Sequence, residues 1–309
     1  MCELGGIIMS TQLSYPNLGY TKKSEDVPVT FPAQHQDVHP GIENVMTPRP
    51  IFDNPDYIGT GKLKDKVAII TGADSGIGRA VALLYAKEGA DIVIAYLNQH
   101  EDANETKKYI EDLGRKCLLM SGDLKNEEFC KSIISKTVSE FGHLDILVNN
   151  AGVQYPQNSI EYITSQQFED TFRVNIFSFF YLTKAAISHL KDGSCIINTT
   201  SVTAYNGHKE LIDYASTKGA IVSFTRSLAL SLASTGIRVN GVAPGPIWTP
   251  LIPSSFSADH ITTFGANTPM KRAGQPVEVA PVYLYLASSD STYVTGQILH
   301  VNGGSYVTS

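Results

Sequence analysis

From residue 66 onward, short unbroken apolar runs alternate with longer segments in which apolar residues recur every three or four positions. Val67-Ala68-Ile69-Ile70 is the first run, and Ile77, Ala80, Val81, Leu84 and Tyr85 then fall on one side of a helix over 77–88. Further strands are predicted at 92–95, 117–120, 146–148, 195–197, 237–242 and 298–301. The intervening helices are placed near 101–113, 126–141, 165–190 and 211–234, with a last one opening at Gly274-Gln275-Pro276. Proline is tolerated in a first helical turn, where its missing N–H has no partner to lose. Thr164 with Gln167 three residues later has the spacing of a capping box. Strands without polar alternation are buried on both faces, which points to a parallel sheet covered by helices on each side. Seven such strands joined by right-handed crossovers make a doubly wound α/β fold.

Residues 1–60 follow neither period. Prolines stand at 16, 28, 32, 40, 48, 50 and 55. Two readings compete for this arm: a disordered tail, or a strap laid over the domain or a neighbouring subunit. Phe31, Ile42, Val45, Met46, Ile51, Phe52 and Tyr57 are the apolar anchors for the second. The expected organisation is an irregular arm over 1–60 and one catalytic domain over 61–309.

Composition removes several classes of function. The chain of 309 residues is 42% hydrophobic, enough for a large core, and its net charge of −6 gives no pull toward nucleic acid or an anionic membrane. No apolar stretch approaches a membrane span. Cys2, Cys117, Cys130 and Cys195 form no C-x-x-C pair, and Cys117 and Cys195 lie in strands, so buried free thiols in a reducing, cytoplasmic compartment are expected. His35, His39, His100, His143, His189, His260 and His300 are scattered, so no metal site is expected. Glu127-Glu128 reads as a solvated helix face. Met1–Ser10 carries a short apolar patch without a basic region, so no signal peptide is expected; Met9 is an alternative start.

The first strand runs into Thr71-Gly72-Ala73-Asp74-Ser75-Gly76-Ile77-Gly78. Glycines let a backbone turn sharply and approach a bulky anion, and the helix that follows directs its N–H groups and positive dipole end at that anion. The spacing G-x-x-x-G-x-G differs from G-x-G-x-x-G, yet strand, turn and amphipathic helix are all in place. Farther on, Tyr214-Ala215-Ser216-Thr217-Lys218 sets a phenol and an ammonium four apart on one helix face. A phenol near pKa 10 is a poor base at neutral pH, and a neighbouring ammonium should lower it toward use as a proton donor and acceptor. Ser201 ends the fifth strand just before this helix, on the rim where open α/β sheets bind ligands.

These motifs, in this order, resemble the short-chain dehydrogenase/reductase family over residues 60–309. The T-G-x-x-x-G-x-G turn matches at each fixed position. Asp123, with Leu124, sits where the family contacts adenine, and Asn149-Asn150-Ala151-Gly152 is its N-N-A-G. Ser201, Tyr214 and Lys218 reproduce its catalytic spacing, with Asn175 as the fourth member. Pro244, Gly245, Ile247 and Thr249 match the segment that holds the nicotinamide carboxamide. The Pro-rich arm is similar to that of a subgroup of general stress and aldehyde-reducing proteins. The resemblance implies a Rossmann-like domain and a homotetramer. It implies an enzyme that moves hydride between NAD or NADP and a small-molecule carbonyl or alcohol. In that scheme Ser201 orients the carbonyl oxygen and Tyr214 donates the proton. Lys218 tunes Tyr214 and binds the ribose, and Asn175 holds a water. Gly72, Asp74, Ser75, Gly76, Ile77, Gly78, Asn150, Ala151 and Gly152 complete the expected dinucleotide contacts.

At the tip of the second strand, Tyr96-Leu97-Asn98 offers neither the acid that favours NAD nor the arginine that favours NADP. Arg79 follows the glycine turn and bears on that choice, but an arginine there could simply face solvent, so cofactor preference stays open. Residues 250–270, with prolines at 250, 253 and 269, stand where the family has a substrate-covering flap. Phe256, Phe264, Tyr155, Tyr205, His208 and Trp248 are candidate pocket residues for a neutral carbonyl compound. Two other functions fit the same fold: a non-catalytic dinucleotide sensor or scaffold, and an epimerase or dehydratase with retained cofactor.

Overall fold

A run of consecutive apolar residues buries both faces only inside a covered sheet, and Val67–Thr71 (β1) is buried at every position. The computed structural model describes residues 27–308. Expectations that fall on residues 1–26 (the apolar patch, Cys2, Met9, Pro16) lie outside them. The strands are β1, Asp91–Tyr96 (β2), Cys117–Ser121 (β3), Ile146–Asn149 (β4), Cys195–Thr199 (β5), Arg238–Pro244 (β6) and Ile298–Val301 (β7). All pair in parallel in the order β3-β2-β1-β4-β5-β6-β7. The order reverses between β1 and β4, and the crevice outside the carboxyl ends of those two strands is where such a sheet takes ligands.

The helices are Gly76–Lys87 (α1), His100–Asp112 (α2), Glu127–Phe141 (α3), Ser165–Phe172 (α4), Ser178–Ala186 (α5), Thr203–Asn206 (α6), Ile212–Leu232 (α7), Ala258–Ile261 (α8) and Pro276–Ala287 (α9). Successive strand residues face opposite cores. Ala68, Ile70, Ile92, Ile94 and Ile197 pack against α1, α2 and α9 through Val81, Tyr85, Ile110 and Tyr283. Ile69, Val93, Leu147 and Ile196 pack against α3, α5 and α7 through Ile133, Leu182 and Ala229.

Two local expectations change. The segment expected as one helix near 165–190 is broken by a π-turn at Arg173–Phe177, centred on Asn175. The capping box at Thr164 is half made: Thr164 Oγ1 accepts the Gln167 N–H at 3.0 Å, but Gln167 Oε1 accepts from Gln157 Nε2 at 2.8 Å instead of from the Thr164 N–H. A returning carboxylate occurs at α9, where Glu278 accepts the Gln275 N–H at 2.9 Å.

Residues 27–60 contain neither helix nor strand and lie along the domain of their own chain. Phe31 stacks on Trp248 with ring centroids 3.8 Å apart, and the Trp248 indole donates to the Pro48 carbonyl at 2.8 Å. Ile51 donates to Gln275 Oε1 and accepts from the Val277 N–H, while the Tyr57 hydroxyl donates to Glu88. Phe31 and Met46 are buried anchors, whereas Val45 points to solvent. Thr47-Pro48 and His39-Pro40 are cis.

Candidate active site

The glycine turn is built for close approach. Gly72 and Gly76 have φ of 66° and 53°, in the region that favours glycine. A Cβ on Gly78 would lie 2.1 Å from the Gly72 carbonyl oxygen, so only glycine lets α1 start so near the turn. Thr71 ties this turn to the next crest of the sheet. Its Oγ1 accepts the N–H groups of Asn150 and Ala151 at 2.8 and 2.9 Å, and its carbonyl accepts from Asn150 Nδ2 at 2.9 Å. The first and fourth strand ends thus form one rigid lip of the crevice.

On the other side of the crevice, Ser201 follows β5 and its hydroxyl lies on the same cavity as the Tyr214 phenol, which projects from the first turn of α7. One turn on, the Lys218 ammonium lies 5.3 Å from the Tyr214 ring centre and donates to the Thr199 carbonyl at 3.0 Å. Gly152 lies directly against this group: a Cβ there would be 3.4 Å from Asn175 Oδ1 and 3.5 Å from Lys218 Nζ, in ordinary contact. Asn175 is fully buried. Its Oδ1 accepts the Val153 N–H at 2.8 Å, and its Nδ2 donates to the Val153 carbonyl and to Thr217 Oγ1 at 2.9 and 3.1 Å. The side chain therefore braces the loop after β4 against α7, and the π-turn is what aims it there.

The electrostatics correct one expectation. Lys218 does not pull the phenol down in this structure. Burial pushes Tyr214 up to about 12, with the Ser201 hydroxyl opposing, and burial pulls Lys218 down to about 7. Desolvation wins because no anion faces the ammonium, so its charged form is penalised, as the phenolate's is.

A cavity of about 430 Å³ joins the two halves. It reaches from Gly72, Asp74, Ser75, Gly76 and Ile77, past Tyr96, Leu97, Asp123 and Leu124, over Asn150, Ala151 and Gly152 to Ser201, Tyr214 and Lys218. Pro244, Gly245, Ile247 and Thr249 close the far wall. Three predicted residues stand off its surface: Gly78 beneath the turn, Asn98 pointing to solvent, and Asn175 behind Gly152. Of the candidate pocket residues, Phe256, Phe264 and His208 line it. Trp248 is spent on the arm, Tyr205 packs on His300 and Tyr306, and Tyr155 packs on His39.

Arg79 is the larger correction, being fully buried instead of facing solvent. Its guanidinium donates to the carbonyls of Asp74 and Asp102 and to Glu105, and pairs with Glu43 at 2.7 Å. Glu43 comes from the arm and accepts the Gly76 N–H at 2.6 Å, while its own N–H donates to Asp102 at 2.7 Å. Burial pushes the Glu43 carboxyl up, with Arg79 and the Gly76 N–H opposing. The arm thus reaches the glycine turn itself, and Pro40 and Gly41 line the cavity. Sequence reasoning missed Glu43, Pro40 and Gly41. The one available signal was a charged residue among the arm's apolar anchors.

The glycine cradle, the tied strand ends and the long cavity between turn and Tyr214 fit a dinucleotide. Residues 72–306 match the family model described as enoyl-(acyl carrier protein) reductase. The uncharacterized oxidoreductase YhxC of Bacillus subtilis (strain 168) is 63% identical over 278 residues, covering 90% of this chain and 97% of that protein. The chloroplastic NADPH-dependent aldehyde reductase 1 of Arabidopsis thaliana is 52% identical, over 89% of this chain and 98% of its own length. The crystal structure of a short chain dehydrogenase from Burkholderia cenocepacia J2315 in complex with NADP superposes with a TM-score of 0.75 at 30% identity, covering 79% of this chain and 98% of that one. The chain belongs to the short-chain dehydrogenase/reductase family and is an NAD(P)-dependent oxidoreductase.

Proposed function

We propose that this enzyme reduces small aldehydes or ketones, and oxidises the corresponding alcohols, at Ser201 and Tyr214. The observation that carries the reading is that these two hydroxyls line, together with Lys218, the same cavity that begins at the glycine turn. A nicotinamide dinucleotide bound along this cavity supplies or accepts the hydride.

The chain's own residues do the rest. Residues 72–78 hold the pyrophosphate, with Asp123 and Leu124 at the adenine and Asn150, Ala151 and Gly152 beneath the nicotinamide ribose. Pro244, Gly245, Ile247 and Thr249 hold the carboxamide. Ser201 donates a hydrogen bond to the substrate oxygen and fixes its orientation. Tyr214 delivers the proton as that oxygen gains charge, and takes it back in the reverse direction. Lys218, once it meets a ribose hydroxyl and solvent, regains its charge and favours the phenolate. Asn175 keeps Lys218 and the loop after β4 in register.

Phe256, Phe264, Leu211 and Ile252 make the substrate end mostly apolar, which suits a small or medium neutral carbonyl compound. Leu230 on α7 and Phe168, Phe177 and Phe180 around α4 and α5 are exposed, the surface expected of a homotetramer packed through those helices. Among the described residues no helix is long and apolar enough to cross a membrane. Cys117, Cys130 and Cys195 are free and buried, as suits a cytoplasmic enzyme. The test is a panel of aldehydes, ketones and sugars with each reduced cofactor. Net consumption with aldehydes is expected; a substrate changed with no net redox, or no turnover at all, would defeat this reading.

A further inference from the structure

The corner of the cavity between the glycine turn and the tip of β2 takes the adenosine ribose in a doubly wound fold. Here that corner is walled by Asp74 and Ser75 from the turn, Tyr96 and Leu97 from the strand, and Pro40 and Gly41 from the arm. A 2′-phosphate placed there needs a cation. Arg79 cannot serve, because it is wholly buried and its donors go to Asp74, Asp102 and Glu105. Arg49 is held by Glu105 through two hydrogen bonds of 3.1 and 2.7 Å. At the strand tip, Leu97 and Asn98 carry no charge.

What the corner does present is a carboxyl group. Asp74 is almost wholly buried and hydrogen-bonded by the Ser75 hydroxyl at 3.2 Å. Behind it the arm contributes Glu43, sealed against Gly76. The arm also fixes the size of the corner. Gln99 Nε2 donates to the Pro40 carbonyl at 3.0 Å, and a Cβ on Gly41 would fall 2.3 Å from the Pro250 carbonyl oxygen, so the segment has no room to withdraw toward residue 250.

We infer that Asp74 and the Pro40-Gly41 segment make this corner selective for the dinucleotide without a 2′-phosphate, so that the chain prefers NAD(H) over NADP(H). A 2′-hydroxyl can donate to the Asp74 carboxylate, whereas a dianionic phosphate meets the same charge at short range with no compensating cation. The inference rests on the cavity being the dinucleotide site. It also sets this chain apart from the Arabidopsis relative, whose name carries NADPH.

The experiment is a pair of equilibrium titrations of the full chain with NADH and NADPH, followed by nicotinamide fluorescence at pH 8 without substrate. NADH is expected to bind at least tenfold more tightly. Asp74→Asn should shrink that ratio at least fivefold, mostly by tightening NADPH. Asn98→Arg, at an exposed position that tolerates it, should do so by supplying the missing cation. Equal or tighter binding of NADPH by the unaltered chain would overturn the inference whether or not any variant folds. A folded Asp74→Asn chain with an unchanged ratio would remove Asp74 from the role. Binding of neither dinucleotide would strike down the site itself, and the preference with it.

Discussion

Lys218 donates its ammonium to the carbonyl oxygen of Thr199, 3.0 Å away, joining the middle of α7 to the last residue of β5. That one bond positions the amine beneath Tyr214, yet a single neutral acceptor does not repay the loss of hydration. The amine is therefore held down near 7 by burial.

A stability profile follows. In the unfolded chain Lys218 titrates near 10.5, in the folded chain near 7, so between those values the unfolded state binds more protons and stability rises with pH. Lys218→Met removes the titration. The unfolding free energy of wild type minus that of the variant should climb from pH 7 to 10 by at most roughly 1 kcal/mol per pH unit. Urea unfolding at pH 7, 8, 9 and 10 checks this, and parallel profiles would refute it.

Tyr214→Phe removes one hydroxyl from the Ser201 pair and leaves the glycine turn untouched. Turnover should fall about 10²–10⁴-fold while dinucleotide affinity stays within about twofold. Initial rates beside equilibrium titration separate the two. Retained turnover would take Tyr214 out of the proton path.

Much of this was legible beforehand. Each predicted strand overlaps an observed one because β1, β2, β4 and β5 are apolar without interruption, and a strand buried on both faces leaves that mark in sequence. The turn at 71–78, Ser201, Tyr214 and Lys218 were legible because chemistry fixes both their residue types and their intervals. Glu43 and the burial of Arg79 were not. Glu43 meets Gly76 and Asp102 across 33 and 59 residues, a carboxylate and a guanidinium look alike whether buried or solvated, and the arm has no periodicity to place it. The sign of the Tyr214 shift was misjudged for a related reason: spacing gives the distance between two charges but not the water each has lost.

The arm gives a stability prediction of its own. Phe31 is 3% exposed and lies flat on Trp248. Phe31→Ala should cost about 3 kcal/mol through lost contact and a cavity. Trp248 is the chain's single tryptophan, so its emission reports the change directly and should shift to longer wavelength. Unaltered emission and unaltered stability would mean the arm is not docked through this pair.

Glu43 should show itself through pH. Its folded carboxyl holds a proton more tightly than the unfolded one, so it makes stability fall as pH rises above about 4.5. Glu43→Gln should flatten that part of the profile between pH 5 and 8, while Glu43→Ala, which takes one of the carboxylate partners from the buried Arg79 and the acceptor from the Gly76 N–H, should destabilise by about 3 kcal/mol. Thermal unfolding of both variants across that range checks the sign. A profile for Glu43→Gln as steep as that of the parent would contradict it.

The strap that carries Phe31 and Glu43 leaves the ribosome before any surface it rests on. Glu43 waits only for residues 76 and 102, but Phe31 waits for residue 248 and Ile51 for residue 275. During synthesis the segment that carries Phe31 and Ile51 cannot be fully seated until residues 248 and 275 have emerged, and its docking is a late event in maturation.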